Sequence, residues 1–468
     1  MRLSELFISF MLQWETTFKQ SRTIDMSISR SLFHLINSGR NTVSQSIIVS
    51  GNQDYDWSKH YKFYSRSVWD YQDLFDVPIS KTVNYFNSDY IAVSADDTKL
   101  RKTGHKIPGT QYYLDPLSPP FHPNLMWSQR VLHFSALLPL YNQYDASSLD
   151  ETSLCNASRG IPVNFINAPA VKKPGKRATS EQWEDYFRAK KEFNLSNIYV
   201  GGVSDLRQRY DAMGASDKLL LMVVDGSFCN SKVFKSDIDR VNTIARCRKD
   251  ASLCFRSTDQ SRKFFSVDKF TPHSVYVNKD IPWSYAKGFM GKKYREYRYK
   301  EVNSAYWQRG AGKKPLRVII LSAIIYNKKH KGKRSYQDPA YILTDNHSIG
   351  TQELIQQYIN RWEIEVNHRD VKTTLRVGQA QVWNENSVIR HPAHLVATYS
   401  ILLLAALECY GDGRGEEYFK LPKWRKQPTR PSLNDILNTL KKELLNSTEI
   451  LEKYGFRVDE ETNKCVNF

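Results

Sequence analysis

"LLLMVVDG", residues 219–226, is an unbroken apolar run of strand length that stops at Asp225-Gly226. A strand with one wet face alternates apolar and polar residues, whereas a strand covered on both faces need not. The run therefore predicts a central strand, buried on both sides and ending in a carboxylate. "YIAVSADD" (90–97) repeats the design, an apolar strand closed by Asp96 and Asp97. "RVLHFSALLPL" (130–140), "VNTIARC" (241–247), "RVIILSAII" (317–325) and "YILTDN" (341–346) are further strand candidates.

Helical signals lie between and around these strands. Residues 1 to about 85 read as helical, with apolar positions at Leu32, Leu35 and Ile36. An acid-rich first turn begins a helix at Ser180, and "RPSLNDILNTLKKELL" is amphipathic behind a Ser432 cap. The apolar run Leu395–Leu407 is 13 residues long, which suits a buried core helix and is too short to span a bilayer. Strands interleaved with helices place the chain in the α/β class.

Composition narrows the partner. Lys and Arg number 67 against 49 Asp and Glu, a net charge of +18. A surplus of that size points to a polyanion, nucleic acid before membrane. The opening "MRLSELFISFMLQWE" carries Glu5 in its apolar stretch and has no small-residue cleavage site, unlike a signal peptide. The cysteines (Cys155, Cys229, Cys247, Cys254, Cys409, Cys465) form no C-x-x-C pair, and no His stands at zinc-finger spacing. They read as reduced thiols of a cytosolic protein rather than a disulfide framework.

The charge is unevenly spread. Between residues 291 and 334 there are 14 Lys or Arg and two Glu, a net of 14 − 2 = +12. Aromatics interleave with the cations in "KKYREYRYK" (292–300), "YWQRGAGKK" (306–314) and "KKHKGKR" (328–334). Such alternation suits strands and a DNA-contacting surface; a solvated charged face is the plainer alternative. Near the N-terminus, "NSGRNTVSQSII" supplies a Gly-containing turn before a short polar helix, the outline of a helix-turn-helix with Arg40 and Thr42 at its start.

"YINRWEIEVNHRDVK" (358–372) joins these threads. On a continuous helix at about 100° per residue, Tyr358, Arg361, Glu365 and Lys372 fall within a stripe about 60° wide. Ile355, Ile359, Trp362 and Val366 form the adjacent apolar stripe, while Glu363 and Asp370 point elsewhere. One carboxylate flanked by cations suits phosphoryl transfer: oxygen ligands hold a divalent ion and Arg or Lys neutralise phosphate oxygens. Asp96-Asp97 and Asp225, at two strand ends, supply the additional carboxylates. Alternation along the strand lets only one of Asp96 and Asp97 face such a site.

Tyr358, Arg361, Glu365 and Lys372 match Y-x2-R-x3-E-x6-K, and the chain thereby resembles a large group of bacterial insertion-sequence DDE transposases. "SADDTKLRKTGHKI" and "LMVVDGSF" are similar to the segments around the first and second Asp of that group, and the likeness runs over roughly 90–410. It implies a ribonuclease-H-like core, a mixed sheet flanked by helices, with Asp97, Asp225 and Glu365 as catalytic and metal-binding triad. Asp97 is preferred because the family places its acid directly before a Thr, here Thr98. The resemblance also implies two Mg²⁺ ions, with Mn²⁺ able to substitute, and DNA-backbone contacts from Tyr358, Arg361 and Lys372. Lys99, Arg101 and Lys102 would lie along the phosphate path. Trp283 and Trp307 are candidates for a base-contacting Trp in the insertion, each with packing as the plainer role.

The expected organisation is a helical DNA-binding domain (1–85), a first core segment (86–255), a β-rich basic insertion (256–335), a second core segment carrying Glu365 (336–412) and a helical C-terminal region (413–468). The 140 residues between Asp225 and Glu365 far exceed an ordinary connection and call for that insertion. The expected activity is metal-dependent cleavage and strand transfer at terminal inverted repeats. The expected partner is double-stranded DNA, bound by a homodimer in the synaptic complex without membrane involvement. The expected location is the prokaryotic cytoplasm, at the nucleoid. A domesticated copy that binds without cutting, and a metal-dependent nuclease that does not transpose, are the competing readings.

Overall fold

The computed structural model describes residues 2–468 apart from 116–117, 120, 141–156, 259–263, 291–292, 324, 331–332, 337, 427, 460–463 and 466–468. Cys155 lies outside the described residues, as do the side chains of Cys465 and of the basic run 328–334. Cys229, Cys247, Cys254 and Cys409 are free thiols.

Helices open the chain: α1 (Leu3–Leu12), α2 (Ser21–Ile36), α3 (Val43–Val49), α4 (Ser58–Ser65) and α5 (Asp76–Val83). The strands β1 (Tyr90–Arg101), β2 (Thr110–Leu114), β3 (Leu125–Pro139) and β4 (Ser158–Asn167) follow. Helices α6 (Ser180–Glu192) and α7 (Leu195–Ala212) lead to β5 (Leu219–Val224), α8 (Ser231–Phe234) and β6 (Val241–Arg246). A strand-rich stretch comes next, with β7 (Leu253–Arg256), β8 (Phe265–Phe270), α9 (Pro272–Val277), β9 (Ser284–Met290), β10 (Lys293–Tyr306), β11 (Pro315–Leu321), β12 (Ile325–His330), β13 (Lys333–Tyr336) and β14 (Ala340–Thr344). The chain then forms α10 (Thr351–Asn360), α11 (Glu363–Arg369), α12 (Glu385–Tyr410), α13 (Leu433–Leu445), α14 (Thr448–Lys453), β15 (Val458–Asp459) and β16 (Lys464–Cys465).

The architecture is mixed α/β, built on one 12-stranded mixed sheet flanked by helices. Its path runs β2-β3-β1-β5-β6-β14-β11-β10-β7-β8, with β4 added beside β3 and β9 beside β10. β1 pairs antiparallel with β3 and parallel with β5, and β5 pairs parallel with β6. From β14 onward every pairing in this sheet is antiparallel, so β7 to β11 and β14 widen the same sheet, while β12 and β13 pair with each other as a separate two-stranded sheet. β4 was not expected from the sequence. Pro162 interrupts its pattern, and the register with β3 shifts at Phe134/Ser135 beside it, a tolerated place for proline on a strand paired on one side only.

Side-chain alternation assigns each β1 and β5 residue to a face. Ile91, Val93 and Ala95 of β1 and Leu220, Met222 and Val224 of β5 belong to the cluster that includes Tyr199, Val203, Leu206 and Tyr210 of α7. Gly202 lets that helix approach, because a Cβ there would stand 2.7 Å from Ile166 Cδ1 and 2.9 Å from Phe134. Tyr90 and Ala92 of β1, with Leu221 and Val223 of β5, pack on the opposite face with Leu354 and Ile355 of α10.

The N-terminal helices do not have a core of their own. Phe7, Trp14, Leu32 and Phe63 share one buried cluster with α12, α13 and the α7 face of the sheet. Helix α12 extends well beyond the apolar run read from the sequence. Its 26 residues are long and apolar enough to cross a bilayer, yet 78% of its most apolar window is buried inside the protein.

Candidate metal centre

Residues 358–372 do not form one continuous helix. Helix α10 ends at Asn360 and α11 begins at Glu363. Across the junction the backbone tightens: Trp362 N–H donates to Ile359 O (3.2 Å), Ile364 N–H to Arg361 O (3.1 Å) and Glu365 N–H to Trp362 O (3.1 Å). These i→i−3 bonds overwind the chain, and the wide π turn Asp370–Thr374 underwinds it again. The straight-helix stripe is corrected accordingly. Trp362, expected on the apolar seam, is 65% exposed, while Ile364 is fully buried.

Helix α11 is held against β4 by an unusually close contact at Gly160. A Cβ there would lie 2.6 Å from Asn367 Oδ1 and 3.0 Å from Glu363 Cβ. Asn367 Nδ2 donates to Gly160 O (3.0 Å) and to the Tyr399 hydroxyl (3.1 Å), and Ser135 Oγ donates to Asn367 Oδ1 (2.8 Å). Glu363 is occupied by the Arg430 guanidinium at 2.9 and 3.0 Å. The clamp leaves Glu365, two residues on, turned to the other side of the helix.

Glu365 meets Asp96 there. One ligand atom each of Asp96, Glu365 and His368 lies within 4.8 Å of the others. The parity of β1 explains the choice of Asp96: with Tyr90 and Ala92 it lies on the α10–α11 face, and β5 runs through Leu221 and Val223 to Asp225 on that face. Asp97, preferred on the family motif, is not in that group. It turns to the opposite face, where Arg130 Nε donates to its Oδ2 at 2.7 Å, and both side chains are largely shielded.

The electrostatics single out the same group. Burial first, then the charges of Asp225, Glu365 and Asp97, push the Asp96 carboxyl up to about 7; Arg361 opposes the shift. Asp225 lies outside the 4.8 Å group, and its Oδ1 accepts from Ser227 N–H (2.9 Å) and Oγ (2.6 Å). Arg361 reaches Glu365 at 3.8 Å. Lys372 is held below its ordinary value by lost solvent and by Lys99, while Glu365, Asp96 and Asp97 pull it back. Burial raises Tyr358, whose hydroxyl feels Arg246, Arg361 and Asp225. Arg246, at the exposed end of β6, is thus a neighbour that the sequence did not single out.

Two converging carboxylates, with Asp225 near enough to act on Asp96 and Arg361 beside Glu365, form a negative pocket that could hold a cation. The buried His368 fits the same chemistry. Burial, with Lys372 and Arg361 nearby, lowers it to about 3, so the imidazole is neutral at physiological pH.

Other sequence-predicted residues lie elsewhere or are already occupied. Lys102 is corrected from a phosphate contact to a buried tie: its Nζ donates to the carbonyls of Gly378 (3.2 Å) and Ala380 (2.8 Å), and burial lowers it to about 8. Arg101 is exposed, and Lys99 stands 5.9 Å from the Tyr113 ring. Arg40 is exposed, whereas the Thr42 hydroxyl caps α3 by accepting from Gln45 N–H. Trp307 packs edge-on to Phe234, and Trp283 sits between Tyr276 and the cations Arg298 and Lys300. The basic stretch is also less exposed than its count suggests. Lys300 is buried and donates to the carbonyls of Val275, Tyr276 and Asn278, Arg317 pairs with Glu301 at 2.9 Å, and Lys314 pairs with Asp345 at 3.3 Å.

No family model matches the chain, and no curated protein matches it.

Proposed function

We propose that the chain is a DDE-type DNA transposase in which Asp96, Asp225 and Glu365 form the acidic triad. The observation that carries this reading is that Asp96, where β1 passes the end of its parallel partner β5, and Asp225, just beyond that end, lie toward the face that receives α11, and that Asp225 and Glu365 both raise the proton affinity of Asp96. A mixed sheet with antiparallel strands on one side of β1 and parallel strands on the other accords with a ribonuclease-H-like core. The first acid is one residue earlier than the family motif implies.

A divalent ion, Mg²⁺ or Mn²⁺, held by the carboxylates supplies water activation and neutralises charge on the scissile phosphate. Arg361 and Lys372 flank Glu365 and offer cationic donors to the non-bridging oxygens. Tyr358 stays protonated and offers its hydroxyl as a donor between Asp225 and Arg246. Lys99 and Arg101, beyond Asp96 on the same strand, extend the basic path for double-stranded DNA. Cleavage of two element ends implies a dimer on DNA, acting at the nucleoid of a prokaryotic cell.

The test is cleavage of a duplex carrying the inverted repeats that flank the gene, in Mg²⁺ and in Mn²⁺. Cutting at the repeat ends, lost in Asp225→Ala and Glu365→Ala, is expected. Tight binding without cutting in either metal overturns the assignment in favour of a silent DNA-binding derivative, and hydrolysis indifferent to the ends overturns it in favour of a nuclease.

A further inference from the structure

We infer that His368 is a ligand of the ion held by Asp96 and Glu365, which makes the centre a mixed oxygen–nitrogen site. The inference deepens the metal-site part of the proposed function and rests on it.

Three observations support it. His368 offers a ring nitrogen within 4.8 Å of carboxylate oxygens of both Asp96 and Glu365. Bonds of about 2.1 Å place trans donors about 4.2 Å apart, so a small side-chain rotation closes the set on one ion. Second, His368 is 6% exposed and its Nε2 has no hydrogen-bond partner. An orphaned buried nitrogen is destabilising, and a cation bound to it removes that penalty. The nearest ring, His133, lies 5.2 Å away centroid to centroid, and no hydrogen bond joins the two. Third, Glu365 and His368 are i and i+3 on α11, the spacing that brings two side chains to one helix face and that helical carboxylate–histidine metal sites use.

The ligand set has a consequence for the metal. Mg²⁺ takes oxygen donors and parts reluctantly with water, whereas imidazole favours first-row transition ions. The centre therefore binds Mn²⁺ or Co²⁺ more tightly than Mg²⁺, and His368 is the source of the preference.

The probe is Mn²⁺ added to the full-length protein without DNA, read by electron spin-echo envelope modulation and by titration calorimetry. Wild type is expected to show ¹⁴N modulation, replaced by the ¹⁵N pattern when the protein is labelled with [¹⁵N]histidine. His368→Ala is expected to lose the modulation, with Mn²⁺ affinity falling at least tenfold and Mg²⁺ affinity less than threefold. His133→Asn is expected to retain it, so the ligand is identified even where His368→Ala fails to fold. Mn²⁺ bound to wild type without histidine modulation overturns the assignment of His368 and leaves the transposase reading standing. No Mn²⁺ binding at millimolar concentration, alongside absent cleavage, overturns both.

Discussion

The two faces of β1 treat neighbouring carboxylates in opposite ways. On the α7 face, Asp97 meets a guanidinium at 2.7 Å and its charge is balanced within the fold. On the α10–α11 face, Asp96 meets Asp225 and Glu365, and Arg361 is the cation that opposes their effect. Adjacent, chemically identical residues are thus separated by what the sheet turns them toward. A balanced carboxylate holds structure together; a carboxylate among carboxylates is held ready for a cation from outside.

The sharpest way to break this contrast is to neutralise each residue in turn. Asp96→Asn is expected to abolish divalent-ion binding and repeat-end cleavage, a loss of at least 10³-fold, with the fold intact. Asp97→Asn is expected to cost about 1–3 kcal/mol in urea unfolding, because it leaves Arg130 without its partner, and to leave metal binding within severalfold of wild type. The reverse pattern would return the site to Asp97.

A smaller effect follows from pH. Asp96 must lose its proton to bind a cation, so with its carboxyl near 7 the affinity should rise about tenfold from pH 6 to pH 8. The stability of the metal-free protein should move the opposite way. Between the ordinary carboxyl value and about 7 the folded state binds more protons than the unfolded one, and the Asp96 contribution is lost as pH rises through that window. Calorimetry and urea titrations across pH 5–8 read both trends, and Asp96→Asn should flatten them. A pH-independent affinity would show that Asp96 is not a ligand.

The smallest expected effect concerns Lys102. Lys102→Met should lower stability through the loss of its carbonyl contacts, yet leave the salt dependence of DNA binding unchanged, whereas Arg101→Ala should reduce that slope by about one. Equal slopes in the two variants would count against the buried placement of Lys102.

Parts of this arrangement were legible in the sequence because local pattern and environment agree there. The apolar runs of β5, β6 and β14 stop near where the structure stops them, whereas β1 continues past Asp96 and Asp97 to Arg101 through its pairing with β3, and Ser432 caps α13 through its hydroxyl. Helix α7 was missed because Gly201 and Gly202 sit inside it; the packing of Gly202 against Phe134 and Ile166, not propensity, accounts for it. The break at Arg361–Trp362 carries no Pro or Gly to announce it. The choice between Asp96 and Asp97 depends on which face receives α11, a long-range fact. His368 left a trace, a histidine three residues after the motif Glu, but its value depends on Asp96 arriving from another strand.

The Arg430–Glu363 clamp ties the end of the chain to its centre. Arg430 also donates to Ser158 O, and Arg159 donates to Pro431 O, so the segment before α13 is laced to the start of β4 directly behind α11. A fragment ending short of Arg430 would leave Glu363 shielded and unneutralised at the root of the helix that aims Glu365. The C-terminal segment is in that sense a fastener for the acidic pocket, and its removal should loosen the pocket before it unfolds the sheet.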